Sequence, residues 1–146
     1  MFVPGAQDVK LVERYGIRDN KLILTVGRMV SQERYKAFDE VIEAMLELLR
    51  RFPNLKYMIV GDGDDRSRLE EKVKSLGLSQ QIIFAGKIPE HEKVSHYCLA
   101  DAYVMPSHGD GLGIVFLEAL ACGVPVIGTK VDGRRSTWLP RRSERA

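Results

Sequence analysis

The chain has 146 residues, room for one domain and too few for two of ordinary size. Apolar residues make up 45% and charged residues 29%, enough to bury a core and outside the range of a disordered or fibrous chain. Five of the 22 Lys and Arg, but only one of the 20 Asp and Glu, fall in the last thirteen residues; the net +2 therefore belongs to a tail, residues 1–133 carry net −2, and no nucleic-acid partner is expected. No apolar run approaches the roughly 18 residues of a membrane span, and the opening MFVPGAQDVK lacks a secretion signal's apolar stretch. Cys98 and Cys122 sit in apolar surroundings without metal-ligand spacing, which suits a reducing cytoplasm.

Residues 1–20 read as an irregular lead-in segment. A first strand over Leu22–Val26 ends at Gly27, and an apolar face follows at Phe38, Val41, Ile42, Met45, Leu46, Leu49 and Phe52, the spacing of a helix that Pro53 and Asn54 stop. Tyr57–Val60 is a second strand, closed by Gly61-Asp62-Gly63. Leu69, Val73 and Leu76 mark a charged helix ending at Gly77, and Ile82–Ala85 a third strand ending at Gly86. A short helix is expected over Glu90–Tyr97, a fourth strand over Ala102–Met105, a helix over Ile114–Cys122 capped by Gly123, and a fifth strand over Pro125–Gly128. Strands apolar on both faces and separated by helices predict an α/β fold, a doubly wound parallel sheet of about five strands. The domain spans residues 21–133; the tail, 134–146, is basic, has no strand or helix period and is expected to be disordered.

In such sheets ligands bind beyond the carboxyl ends of the strands. Three special segments converge there: Gly27-Arg28, Gly86-Lys87, and residues 107–113, SHGDGLG. Glycines at 109, 111 and 113 let backbone approach a ligand and then enter a helix, whose first amides favour a phosphate. Glu118 is the only charge in that apolar helix. It lies seven residues beyond Gly111, about 20° off the same face and on the order of 10 Å along the axis, the span of a pyrophosphate and a ribose. A buried carboxylate needs hydrogen bonds, which a ribose diol, a lysine or solvent could provide. Asp62, Asp64 and Asp65 are expected to cap the following helix rather than hold a metal. His91 and His96 are expected on a surface helix.

The run DGLGIVFLEALACGVPVI (110–127) resembles the E-x7-E region of retaining glycosyltransferases of family four. The likeness extends through VGRM (26–29), YK (35–36), VGDG (60–63), FAGKIP (84–89) and YVMPS (103–107), in order and spacing, and covers roughly residues 20–133. It implies a Rossmann-like domain, the C-terminal, nucleotide-sugar-binding half of a GT-B enzyme. It also implies that Arg28 and Lys36 grip the donor pyrophosphate and stabilise the leaving nucleoside diphosphate. On the same grounds Glu118 holds the ribose and Asp110 the donor sugar. Gly111, Leu112 and Gly113 offer backbone amides, Lys87 and Ile88 frame the base, and Gly27, His108 and Ile114 line the pocket. No metal and no cofactor are implied; the donor is a nucleoside-diphosphate sugar.

Three positions depart from the family pattern. Asp110 stands in place of Glu, Ala37 in place of a glycine, and beyond Asp132-Gly133 the family's closing elements give way to RRSTWLPRRSERA. The tail is expected to arise from a frameshift, a truncation scar or a degraded gene. The acceptor-binding N-terminal domain, which would take a sugar or lipid-linked glycan, is read as missing. An inactive fragment, self-association through an uncovered sheet edge, and peripheral placement of the full enzyme at the inner face of a membrane follow from that reading. The competing readings are a catalytically dead nucleotide-sugar-binding module and an unrelated receiver or flavodoxin-like phosphate-binding domain.

Overall fold

A computed structural model describes residues 7–31, 38–105, 114–129 and 135–138, with backbone alone at 105, 114–116, 128–129 and 135–138. The strands are β1 (Lys21–Val26), β2 (Leu55–Val60), β3 (Ile82–Gly86), β4 (Ala102–Met105), β5 (Val126–Thr129) and β6 (Arg135–Trp138). They form one sheet in the order β3-β2-β1-β4-β5-β6. Strands β1 to β5 are parallel, as their two-sided apolar character predicts; Leu24, Tyr57, Met58, Ile59, Tyr103 and Val126 are fully buried. The sixth strand pairs antiparallel with β5, Val126 facing Trp138 and Thr129 facing Arg135. Part of the tail expected to lack regular structure therefore closes the edge of β5, because an edge strand can form on backbone hydrogen bonds without an alternating apolar pattern.

The helices are α1 (Val9–Tyr15), α2 (Phe38–Arg51), α3 (Arg66–Ser75), α4 (Lys93–Leu99) and α5 (Ile114–Ala121), with a 3₁₀ turn Glu90–Glu92 leading into α4. The strand order reverses between β1 and β4, so crossovers of one hand put the helices before and after the reversal on opposite faces. Accordingly α2 packs on α3, and α1 packs on α4. The predicted face of α2 is buried at Phe38, Val41, Ile42 and Met45, whereas Leu46 and Phe52, which share its period, are 44% and 51% exposed.

The lead-in segment is not irregular throughout. The Asp8 carboxylate accepts from the Lys10 amide at 2.9 Å and starts α1, and Gly16 ends it with φ of 62°. Leu11 and Ile17 join the core, and Gln7 Nε2 donates to the Leu99 carbonyl at 2.9 Å. Two turns of helix are too few to show a period in the sequence.

His96, expected at the surface, is fully buried between α1 and α4. Its Nδ1 lies 2.8 Å from the Glu92 carbonyl and its Nε2 2.7 Å from Tyr15 Oη. A carbonyl only accepts, so Nδ1 carries the proton, and in the neutral ring Nε2 accepts from the tyrosine. Burial is the largest cause holding the imidazole below its ordinary pKa. Well above pH 6.5 the ring is neutral in both folded and unfolded chains. As pH falls through that value the unfolded chain takes up the proton first, and stability declines until the folded ring protonates too. Urea midpoints of the chain are therefore expected to drop between pH 7.5 and pH 5.5, and His96→Gln to flatten that part of the profile.

Candidate active site

The strand order reverses between β1 and β4, and the general rule for doubly wound sheets places a ligand crevice beyond the carboxyl ends of two such strands. The β1–β4 ladder is short, pairing Ile23 with Ala102 and Leu24 with Tyr103. Beyond it, side-chain hydroxyls take over. Val26 N donates to Tyr103 Oη at 3.0 Å, and that hydroxyl donates to the Val26 carbonyl at 2.9 Å. Thr25 Oγ1 donates to the Val104 carbonyl and accepts from Tyr57 Oη at 2.7 Å. Backbone groups at a parting of strands are thus satisfied without water, and β1 holds its course to Gly27.

From there the chain lies on the loop after β2. Gly27 N donates to the Val60 carbonyl at 3.0 Å, Met29 N to the Asp62 carbonyl at 3.1 Å, and Asp65 N to the Met29 carbonyl at 2.8 Å. Asp64 accepts from both the amide (2.9 Å) and the hydroxyl (2.8 Å) of Ser31, and these bonds hold its carboxyl below the usual carboxylate range. The two backbones touch. A Cβ at Gly61 would lie 2.0 Å from the Gly27 carbonyl oxygen, and one at Gly63 2.1 Å from that of Met29. The VGDG motif is therefore a seat for the Gly27–Ser31 loop, on which Arg28 stands exposed between two anchored neighbours.

The three aspartates do not cap α3 as expected. Asp65 occupies the cap position without a side-chain cap bond and pairs with Arg68 at 2.8 Å. Arg68 also forks onto Asp39 of α2 (2.7 and 2.9 Å), and Lys72 joins Asp39 (2.9 Å) to Glu43 (2.6 Å). Hydrogen bonding from Arg68, the largest cause, holds Asp39 far below the carboxylate range, and Asp65 and Asp39 in turn raise Arg68. Asp62 meets Arg66 at 3.4 Å. Among the described residues no group of three or more metal-ligating side chains gathers.

On α5, Glu118 faces the fold, its side chain 12% exposed. Its Oε1 accepts from Tyr97 Oη at 2.9 Å and lies 3.3 Å from Lys93 Nζ, so a lysine is one of the partners present. Lys87 is exposed at the exit of β3, and Ile88 is half-buried against the core. Ile114 is the first residue of α5. Lys36, His108, Asp110, Gly111, Leu112 and Gly113 lie outside the described residues. The structure thus places Gly27, Arg28 and Lys87 at strand exits and Glu118 on the helix that leads into β5. Tyr97, Lys93, Tyr103 and Thr25 were not singled out from sequence; the only signal was the i, i+4 spacing of Lys93 and Tyr97, which places them on one helix face.

A doubly wound parallel sheet flanked by helices defines a Rossmann-like α/β domain. The comparisons narrow this: residues 10–140 match the family model described as glycosyl transferases group 1, and the chain belongs to that family. It is 36% identical over 137 residues to a GDP-mannose-dependent alpha-(1-6)-phosphatidylinositol monomannoside mannosyltransferase of Mycolicibacterium smegmatis, covering 89% of this chain and 35% of that protein. It is 40% identical over 129 residues to a D-inositol 3-phosphate glycosyltransferase of Frankia alni, covering 82% and 31%. The chain thus spans about a third of the length of these relatives. Among solved structures, the C-terminal domain of a glycosyl transferase group 1 family protein from Francisella tularensis superposes with a TM-score of 0.72 at 31% identity, covering 90% of this chain and 69% of that one. Anabaena HepE in complex with UDP gives 0.71 at 25%, covering 85% and 34%. The fold is that of these Rossmann-like domains.

Since the Gly61 site meets carbonyl oxygen rather than a movable side chain, and its φ is +137°, Gly61→Ala is expected to cost at least about 2 kcal/mol. Denaturant unfolding measures this, and an unchanged midpoint would mean the two loops do not rest on each other.

Proposed function

We propose that this chain is the donor-binding, C-terminal domain of a retaining GT-B glycosyltransferase of family four. It would bind a nucleoside-diphosphate sugar across the β1/β4 crevice for transfer to an acceptor hydroxyl with the anomeric configuration kept. The observation that carries the reading is the seated Gly27–Ser31 loop, which presents Arg28 at the sheet's topological switch point. The UDP complex of the similar HepE and the GDP-mannose dependence in the name of the Mycolicibacterium relative support a nucleoside diphosphate as the common element of the donor.

In this reading Arg28 and Lys36 take the charge that grows on the diphosphate as the glycosidic bond breaks, which fixed cations stabilise more than they stabilise the ground state. They do this in place of a resident metal. Glu118 accepts from the ribose hydroxyls, Asp110 from hydroxyls of the donor sugar, and the amides of Gly111–Gly113 meet the phosphates. Lys87 and Ile88 border the base, with His108 and Ile114 along the pocket wall. The acceptor, a sugar or lipid-linked glycan, is held by the remaining length that the relatives have, and holding the two reactants together supplies much of the rate. A cytoplasmic site of action, at the membrane's inner face where the acceptor is a lipid, fits such a donor.

Calorimetric titration or saturation-transfer NMR with UDP-, GDP- and ADP-sugars tests the reading. One of them is expected to bind, and Arg28→Ala to weaken it about tenfold or more, the loss of one charge-assisted contact. Absence of binding by all three, or an unaltered affinity in the variant, contradicts it. In a two-domain enzyme carrying this domain, Lys36→Ala is expected to lower kcat by roughly 10²-fold; an unchanged rate at saturating donor removes Lys36 from the mechanism.

A further inference from the structure

We propose that Tyr97 and Lys93, neighbours on one face of α4, are positioning residues that hold the Glu118 carboxylate with one oxygen engaged and the other turned to the ribose of the donor. The inference rests on the donor-binding reading above and extends it to residues that reading does not include.

Both contacts to Glu118 converge on Oε1, and Oε2 has no hydrogen-bond partner among the described residues. A carboxylate whose side chain is 12% exposed is costly unless its oxygens are met. Two donors on one oxygen fix the rotation of the group and leave the second oxygen as the acceptor that a diol would fill. Tyr97 is suited to this. Its ring is fully buried and packs 6.0 Å from the Tyr103 ring, whose hydroxyl is bonded to Val26 immediately before the Gly27–Ser31 loop. The anchor of Glu118 and the anchor of the Arg28 loop thus share one pair of neighbouring tyrosines, their rings tilted 35° to each other. Burial, the largest cause, keeps the Tyr97 hydroxyl well above the ordinary phenol range, so it remains a donor at any working pH.

Lys93 supplies what a hydroxyl cannot. Its ammonium, 3.3 Å from Oε1 at the end of a side chain that is 22% exposed, balances the carboxylate charge. An unbalanced carboxylate in the crevice would repel the diphosphate of the ligand that it is meant to hold.

The test compares ribose with a sugar lacking its hydroxyls. UDP and GDP are titrated into the whole chain beside their 2′,3′-dideoxy counterparts, and the base that binds more tightly is used with the variants. The chain is expected to prefer the ribonucleotide about tenfold, and Glu118→Gln to abolish that preference. Tyr97→Phe is expected to cut the preference at least about threefold while leaving dideoxynucleotide affinity unchanged, with circular dichroism confirming the fold. Lys93→Met, at a partly exposed position, is expected to cut the preference similarly and carries the test alone should Tyr97→Phe not fold. A preference lost in Glu118→Gln but intact in the folded α4 variants overturns the positioning role and leaves the ribose contact standing. Equal weakening of both nucleotides in Tyr97→Phe, with the preference intact, also overturns it, since a merely structural role does that; in Lys93→Met a common weakening is expected from the uncompensated carboxylate, and it is an intact preference that overturns the role. No preference in the parent chain, or one that survives Glu118→Gln, removes the ribose contact and this proposal with it.

Discussion

Two backbone segments in van der Waals contact set the geometry of everything at the carboxyl end of this sheet. The carbonyls of Gly27 and Met29 lie where side chains at 61 and 63 would otherwise be. Such closeness is affordable only because both segments also exchange hydrogen bonds, from Gly27 and Met29 to Val60 and Asp62 and back from Asp65 to Met29. The exit of β1 is therefore not a free loop. It is a third layer laid over the exit of β2, which in turn receives the Gly86 carbonyl from β3 through the Gly61 amide at 2.8 Å. A change at 61 or 63 would be felt first at Arg28.

The same economy appears at the parting of β1 and β4. Parallel strands that diverge leave amides and carbonyls exposed to a crevice, and water could satisfy them only by making the site wet and mobile. Thr25 and Tyr103 satisfy them with hydroxyls instead, and Tyr57 donates to the threonine from the neighbouring strand. Because Tyr103 also packs against Tyr97, the ordering of β1 and the orientation of Glu118 depend on one cluster of buried rings. Three hydroxyls, of Thr25, Tyr57 and Tyr103, are thus gathered where a ligand would need a rigid wall.

What the sequence disclosed follows from how each element is stabilised. The five parallel strands were legible because burial on both faces demands apolar runs, and Ala102–Met105 coincides with its predicted bounds. The face of α2 was legible but too long: Leu46 and Phe52 satisfy the helical period, yet full burial is confined to the first part of that stripe, Phe38 to Met45. Two turns of α1, held by Asp8, Gly16 and contacts to α4, leave no period to read. Strand β6 leaves none either, because its described partnership with β5 is backbone pairing. His96 looked like a surface residue because a histidine on a short helix gives no sign that a tyrosine 81 positions earlier will cover it. At the site, the glycine motifs and Glu118 were visible as anomalies in composition. Their supports were not, since Tyr97 read only as the end of a short helix and Tyr103 only as part of a strand. Hydroxyls at the ends of apolar side chains carry no periodic signature.

The acidic residues after β2 raise an electrostatic question that the packing answers. Asp62, Asp64 and Asp65 stand at the same end of the sheet as Arg28, and three loose carboxylates there would oppose any anion drawn to that arginine. None of the three is loose. Asp64 is bound to the amide and hydroxyl of Ser31, Asp62 faces Arg66 and caps the Gly63 amide at 2.8 Å, and Asp65 is tied with Asp39 to Arg68. The pairs run down α3, away from the β1 exit, and join that helix to α2 through Lys72 and Glu43. Asp65 and Asp39 in this way help to hold α2 and α3 together through Arg68, while Asp64, whose Ser31 partners are neutral, keeps its charge beside the Gly27–Ser31 loop and fixes that loop in place.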